Sequence, residues 1–214
     1  LKLFITPGVP DPASTFVPSF LSLEEISAAV SEGARLGIPT AAHCIGGQGL
    51  KDCIDGGVDV IEHMYMASEQ DVERLAASRC VVDLTSGIFL DPSREEFLSP
   101  ANALKVRLNR SRVRENVARI IKARLPFVLG TDAYHGFLYR EVGYAVELGA
   151  DPVTAIQGVT SRAARVCRLE DRIGKLENGM EADIIAVEGN PLEDVSRLSQ
   201  VGLVMKGGVV YRQP

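Results

Sequence analysis

The sequence predicts an α/β protein, with a parallel sheet buried on both faces followed by a small antiparallel β element. Three observations point there. Five short apolar runs lack polar alternation, as strands covered on both sides do. Helical patterns separate them, which suits the crossovers of part of a (β/α)₈ barrel or a doubly wound sheet. After residue 166, Gly- and Asn-rich turns alternate with β-branched runs, the mark of antiparallel strands. The expected division is therefore 1–166 and 167–214.

The elements follow in order. "LKLFI" (1–5) is the first strand and leads through a Pro- and Ser-rich loop (7–19) into "SLEEISAAVSEGARLG". There Ser22 and Glu25 form a capping box, Leu23, Ile26, Val30 and Ala34 share one helical face, and Gly37 ends the helix. "IPTAAHC" (38–44) is the second strand and "QGLKDCIDGG" a short helix. "VDVIEH" (58–63) comes third, then a helix opened by Ser68, and "CVVDLTS" (80–86) is fourth. A loop over 87–103 precedes a long helix over about 104–124, and "FVLGTDA" (127–133) is the fifth strand. The final strands are expected near 183–187 and 203–211.

A chain of 214 residues can bury a substantial core, and 46% hydrophobic with 24% charged residues is ordinary for a globular protein. The net charge of −5 argues against a nucleic-acid groove. "KVRLNRSRVR" (105–114) interleaves its cations with Leu and Val at helical spacing and reads as a solvated helix face. No apolar run reaches the ~18–20 residues that span a bilayer, and none has signal-peptide flanks. A cytoplasmic protein with no membrane partner is expected. Cys44, Cys53, Cys80 and Cys167 show no CxxC spacing and read as buried free thiols. The chain begins "LKLFITPG", without Met and inside an expected buried strand, as a fragment would.

In a parallel α/β domain, reactive groups gather at the C-terminal ends of the strands. His43, His63 and Asp132 all close such runs. Imidazole nitrogen and carboxylate oxygen are natural ligands of a borderline divalent ion such as zinc. A lone strand-end His reads first as a hydrogen-bonded core residue; two with an Asp on successive β-ends favour a metal site. Lys2, flanked by Leu1, Leu3 and Ile5, needs a reason to lie in an apolar run. It either snorkels from a frayed strand end or is carboxylated by CO₂ into an anionic ligand able to bridge two metals.

"AAHCIGGQGLKDCIDGGVDVIEHM", "VLGTDA", "DPVTAIQGVTSRAARV", "RIGKLENGMEADIIAVEGNPLED" and "VMKGGVVY" together resemble the amidohydrolase superfamily, in its imidazolonepropionase-like and Xaa-Pro-dipeptidase-like branch. The resemblance runs from Lys2 to Tyr211. It implies the C-terminal part of a metal-dependent (β/α)₈ TIM barrel followed by strands of a small β-sandwich. It makes Lys2 the bridging carboxylated lysine of barrel strand four, His43 and His63 the metal histidines of strands five and six, and Asp132 the aspartate of strand eight. The implied cofactor is a divalent metal, two Zn²⁺.

The family's first ligand pair, an HxH on strand one, has no counterpart, since the only histidines are His43, His63 and His135. A missing N-terminal segment carrying that HxH is the expected partner, along with a homo-oligomeric state. Residues 1–214 alone are expected to be inactive.

The implied chemistry is hydrolysis of a C–N bond, in an amide, peptide or cyclic amide, through a metal-activated water. Asp132 would serve as ligand and general acid/base. The expected substrate is a small molecule of the dipeptide or acylated amino-acid class. His135, Tyr65 and Arg94 are candidates to bind it, although His135 also reads as an exposed loop histidine and Arg94 as a solvated one. Two alternatives stand beside this reading: a non-catalytic barrel fragment or binding module, and a deaminase or cyclic-imide hydrolase on the same scaffold.

Overall fold

The computed structural model describes residues 1–9, 11–14, 16–132 and 135–213, with the side chain of residue 135 left aside. The chain divides into two compact units, Leu1–Phe127 and Val128–Pro214. The first carries β1 (Lys2–Phe4), α1 (Leu23–Leu36), β2 (Ala41–Cys44), α2 (Gly47–Asp55), β3 (Val60–His63), α3 (Glu69–Ala76), β4 (Val81–Leu84), α4 (Gly87–Leu90) and α5 (Pro100–Lys122). β5 (Phe127–Leu129) begins at its last residue.

The sheet order is β1-β2-β3-β4-β5, with β1 to β4 paired in parallel. Val82 N–H donates to Pro126 O at 3.0 Å just before β5. The expected parallel α/β architecture is what forms, with strands shorter than the apolar runs. At β2 the reason is visible: Thr40 N–H and hydroxyl both bond Asp59 Oδ2, at 2.7 and 2.9 Å, so Thr40 joins the ladder only through its carbonyl, which accepts from Val60 N–H, and β2 runs from Ala41.

Register decides which residues share a face. Ala42, Ile61 and Val82 lie opposite one another and are fully buried. Burying an aliphatic side chain of this kind stabilises by about 1.5–3 kcal/mol. The neighbouring row, offset by one residue, is Phe4, His43, Glu62 and Asp83. One face of the sheet is thus core, and the other carries the polar groups.

The helices begin where their capping residues fall. Ser22 Oγ accepts from Glu25 N–H and Glu25 Oε2 accepts from Ser22 N–H, closing the expected capping box. Gly37 (φ 69°) ends α1. Ser68 and Asp71 make a second box for α3.

The stretch expected as a loop over 87–103 differs. It holds α4 and a 3-10 helix, Pro92–Phe97, and α5 starts at Pro100. Asp91 Oδ1 accepts from Ser93 N–H at 3.0 Å to open the 3-10 turn. Ser99 Oγ caps α5 through Asn102 N–H, with Pro100 in the first turn where it lacks no needed donor. Part of the basic face expected to be solvated is used here. Glu95 accepts from Arg107 (2.8 Å) and Arg110, and Arg110 Nε donates to Phe89 O at 2.6 Å, pinning this stretch to α5.

The second unit holds α6 (Leu138–Glu147), α7 (Pro152–Gly158), α8 (Ser161–Val166) and an antiparallel sheet β6-β7-β8. Its strands are β6 (Ile184–Val187), β7 (Val201–Lys206) and β8 (Val209–Arg212). The strand region expected at 203–211, with its Gly-rich turn, forms an antiparallel hairpin. Gly207 (φ 55°) and Gly208 (φ 80°) form its two-residue turn, with Lys206 opposite Val209. Asp183 holds that turn through Lys206 Nζ (2.9 Å) and Gly207 N–H (2.8 Å).

Cys44, Cys53 and Cys80 are buried free thiols as expected, whereas Cys167, at the C-terminal cap of α8, is exposed. No helix among the described residues is long and apolar enough to cross a membrane.

The β2–α2 connection is tight. Gly46 has φ 150° and ψ −161°, a region open essentially to glycine alone. A Cβ there would lie 2.8 Å from Met66 Cβ and 2.9 Å from Met66 O. Gly46→Ala should therefore combine backbone strain with overpacking and destabilise by ~3 kcal/mol. A urea midpoint unchanged from wild type would show that the turn relaxes freely.

Candidate active site

His43 and His63 stand at the C-terminal ends of adjacent strands, yet strict alternation would send their rings to opposite faces. In register His43 is opposite Glu62, and His63 is opposite the buried Cys44. The backbone corrects this. His63 adopts φ 78° and Met64 φ 54°, left-handed values that are unusual for such side chains. The turn re-aims the His63 imidazole, and the two rings meet edge to face with centroids 4.5 Å apart.

The strain is held from several sides. Met64 N–H donates to Cys44 O (3.1 Å) and Met66 N–H to Ile45 O (2.6 Å). From α5, Asn116 Nδ2 donates to Tyr65 O (2.7 Å), and Arg119 donates to both Asn116 Oδ1 (2.7 Å) and Ala67 O (3.4 Å). Local strain persists where the surroundings over-determine it, and it concentrates at functional sites.

His63 is 4% exposed, and its Nδ1 lies 2.7 Å from Thr85 Oγ1. Burial, reinforced by the positive charges available at His43 and Lys2, pulls its pKa down to about 3, so the ring is neutral at pH 7. Its Nε2 is 3.9 Å from Glu62 Oε2. His43 stacks flat on Phe4, with centroids 4.1 Å apart and planes within 6°. Its Nε2 lies 3.1 Å from Pro7 O; a carbonyl only accepts, so that nitrogen carries a proton.

The other expected residues divide. Lys2 is not buried: its side chain is 54% exposed and its ammonium pairs with Glu62. The short β1 leaves it at the open face, where an ammonium costs little. Carboxylation would put an anion beside Glu62, an arrangement that calls for a cation between them.

Tyr65 was expected at the substrate. It is instead 4% exposed, its hydroxyl on Thr85 and its ring packed edge to face on Phe89 (4.5 Å). Arg94, expected on an open loop, is fully buried in the 3-10 helix with Nε 3.6 Å from Asp91 Oδ2. A guanidinium so enclosed braces its own segment.

Asp132 belongs to the second unit, three residues beyond the end of β5, exposed and with φ 47°. The side chain of His135 lies outside the described residues. Glu62 and Thr85 were not anticipated. The readable signal for Glu62 was a carboxylate in the apolar run "VDVIEH", directly before the histidine.

A metal is implied by the resemblance, and the donors fit one in kind. A neutral imidazole with Nδ1 bonded and Nε2 bare is the usual form of a ligand histidine, with a second imidazole and a carboxylate beside it. They do not fit in number: among the described residues no three His, Cys, Asp or Glu side chains converge as a metal cluster.

A parallel α/β sheet with imidazoles at adjacent strand ends defines the barrel-type α/β class whose chemistry lies at those ends. Within it, the chain belongs to the amidohydrolase family, whose model matches residues 16–211. It is 33% identical to ochratoxinase from Aspergillus niger over 212 residues, covering 92% of this chain and 43% of that protein. It is 24% identical to imidazolonepropionase from Desulfotalea psychrophila over 179 residues, covering 78% and 38%. Among solved structures, a Xaa-Pro dipeptidase with bound methionine in the active site matches with TM-score 0.86 at 30% identity, over 99% of this chain and 54% of that one. The chain spans about half the length of these relatives.

Proposed function

We propose that the protein containing this chain is a metal-dependent hydrolase that cleaves a C–N bond in a dipeptide or N-acylated amino acid. The observation that carries the reading is the imidazole pair, one ring neutral and turned by a strained backbone to face the other at the strand ends. Family membership and the hydrolytic relatives support the class.

In this reading His43 and His63 would supply nitrogen donors, and Asp132 and carboxylated Lys2 would supply oxygen donors, to a divalent metal such as zinc. An HxH from a further polypeptide segment completes the set. When bound, the metal supplies Lewis-acid activation of water and of the scissile carbonyl. Asp132 takes the proton from the attacking water and hands it to the leaving amine. Glu62 holds the Lys2 ammonium before carboxylation. The compartment is cytoplasmic, which suits the three buried free thiols. A cyclic-amide substrate is the second reading, favoured by the likeness to imidazolonepropionase.

The test is release of free amine from a library of dipeptides, N-acyl amino acids and cyclic amides by the full-length protein supplied with zinc and bicarbonate. Turnover of the first two classes is expected. Turnover of the cyclic amides alone would favour the second reading, and no turnover of any class would sink both.

A further inference from the structure

Three short contacts around His63 set an order of protons when each is a hydrogen bond, with Tyr65 Oη also 3.4 Å from His63 Nδ1 as a longer neighbour. Tyr65 Oη lies 2.9 Å from the Thr85 carbonyl and 2.7 Å from Thr85 Oγ1. The carbonyl accepts only, so the single tyrosyl proton goes to it. The Thr85 hydroxyl then donates to Tyr65 Oη, and its oxygen is left to accept. His63 Nδ1, 2.7 Å from that oxygen, must be the donor. The chain of donation runs from His63 Nδ1–H to Thr85 Oγ1–H to Tyr65 Oη–H to Thr85 O, with every member buried.

We propose that Thr85 and Tyr65 are positioning residues that lock His63 in its Nδ1–H tautomer and so present Nε2 as the bare donor nitrogen. The inference rests on the metal-site reading given above. It assigns Tyr65 a task other than substrate contact and gives Thr85 a reason to carry a hydroxyl at the end of an apolar strand. The same groups fix ring direction as well as tautomer, because the Tyr65 ring is wedged on Phe89 and its carbonyl is tied to Asn116. Groups that hold a ligand histidine in this way typically contribute ~10–100-fold in metal affinity.

The test uses full-length protein carrying ¹⁵N-labelled histidine. Ring ¹⁵N shifts of the metal-free protein report the tautomer of His63, and zinc titration reports affinity. Wild type should show Nδ1–H alone. Thr85→Val, which keeps the shape and removes the acceptor, should give mixed tautomers and zinc binding weaker by ~10–100-fold. Thr85→Ser should restore both, and Tyr65→Phe should fall between. An unchanged Nδ1–H spectrum in Thr85→Val overturns the inference, and so does Thr85→Ser as weak as Thr85→Val. His63→Ala that binds zinc like wild type strikes at the metal assignment itself. The metal-free spectrum of Thr85→Val still judges the proton order, so the two failures are distinguishable.

Discussion

Asp132→Asn in the full-length protein should lower kcat by ~10²–10⁴-fold, the usual cost of removing a general base. The substitution is unusually clean. Asp132 has φ 47°, and Asn enters the left-handed region as readily as Asp. The backbone therefore keeps its path, and a loss of rate cannot be put down to a refolded turn. Asn also retains an oxygen, so what disappears is the capacity to accept a proton. If metal content falls as well, the residue is ligand and base together. Near-normal kcat would show that another group moves the proton.

His43→Ala and His63→Ala should each strip metal from protein purified with zinc and bicarbonate, from about two ions per chain toward one or none. The two should differ in their side effects. His43 leaves Phe4 without its stacking partner on an exposed face, a small loss of packing. His63 is enclosed, and its removal opens a cavity beside His43 and takes one hydrogen bond from Thr85 Oγ1, which keeps its contact with Tyr65 Oη. A larger drop in stability for His63→Ala is expected, since a buried hydrogen bond contributes about 0.5–1.5 kcal/mol and the cavity adds to its loss. Unchanged metal content in both variants by elemental analysis would remove the imidazoles from the site.

Much of the scaffold was legible because its signals are local. The Ser22–Glu25 box, the Gly37 stop and the apolar runs depend on neighbours within a few residues, and each appears where the pattern puts it. The 87–103 stretch misled because two short helical turns bury too few apolar residues to show a period. What holds them, Arg110 on the Phe89 carbonyl and both arginines on Glu95, is set by chain folding.

In the site, the histidines stood out through their rarity and their place at strand ends. The positive φ of His63 and Met64 had no sequence signal: histidine enters that region more readily than most residues but is seldom there, and methionine has no preference for it. Lys2 read either as snorkelling from a frayed strand end or as carboxylated, and alternation points it to the open face. Its partner Glu62 is sixty residues away in the chain. Thr85 closed an apolar run, and a hydroxyl there is too common to single out.

α5 contributes no expected ligand, yet Asn116 and Arg119 tie down the segment just after His63, and Arg112 reaches Met66 Sδ at 3.1 Å. The strained turn is therefore held by that helix as well as by the Cys44 and Ile45 carbonyls. Proteins open locally at free energies below that of global unfolding, and α5, which buries Val106, Val113, Val117 and Ile120, must lift as a unit to release Asn116 and Arg119. On warming, the His63–Met64 backbone would relax to ordinary dihedrals as soon as α5 lifts. Inactivation would then precede melting, and the working temperature of the site would be set by a helix that never touches the reaction.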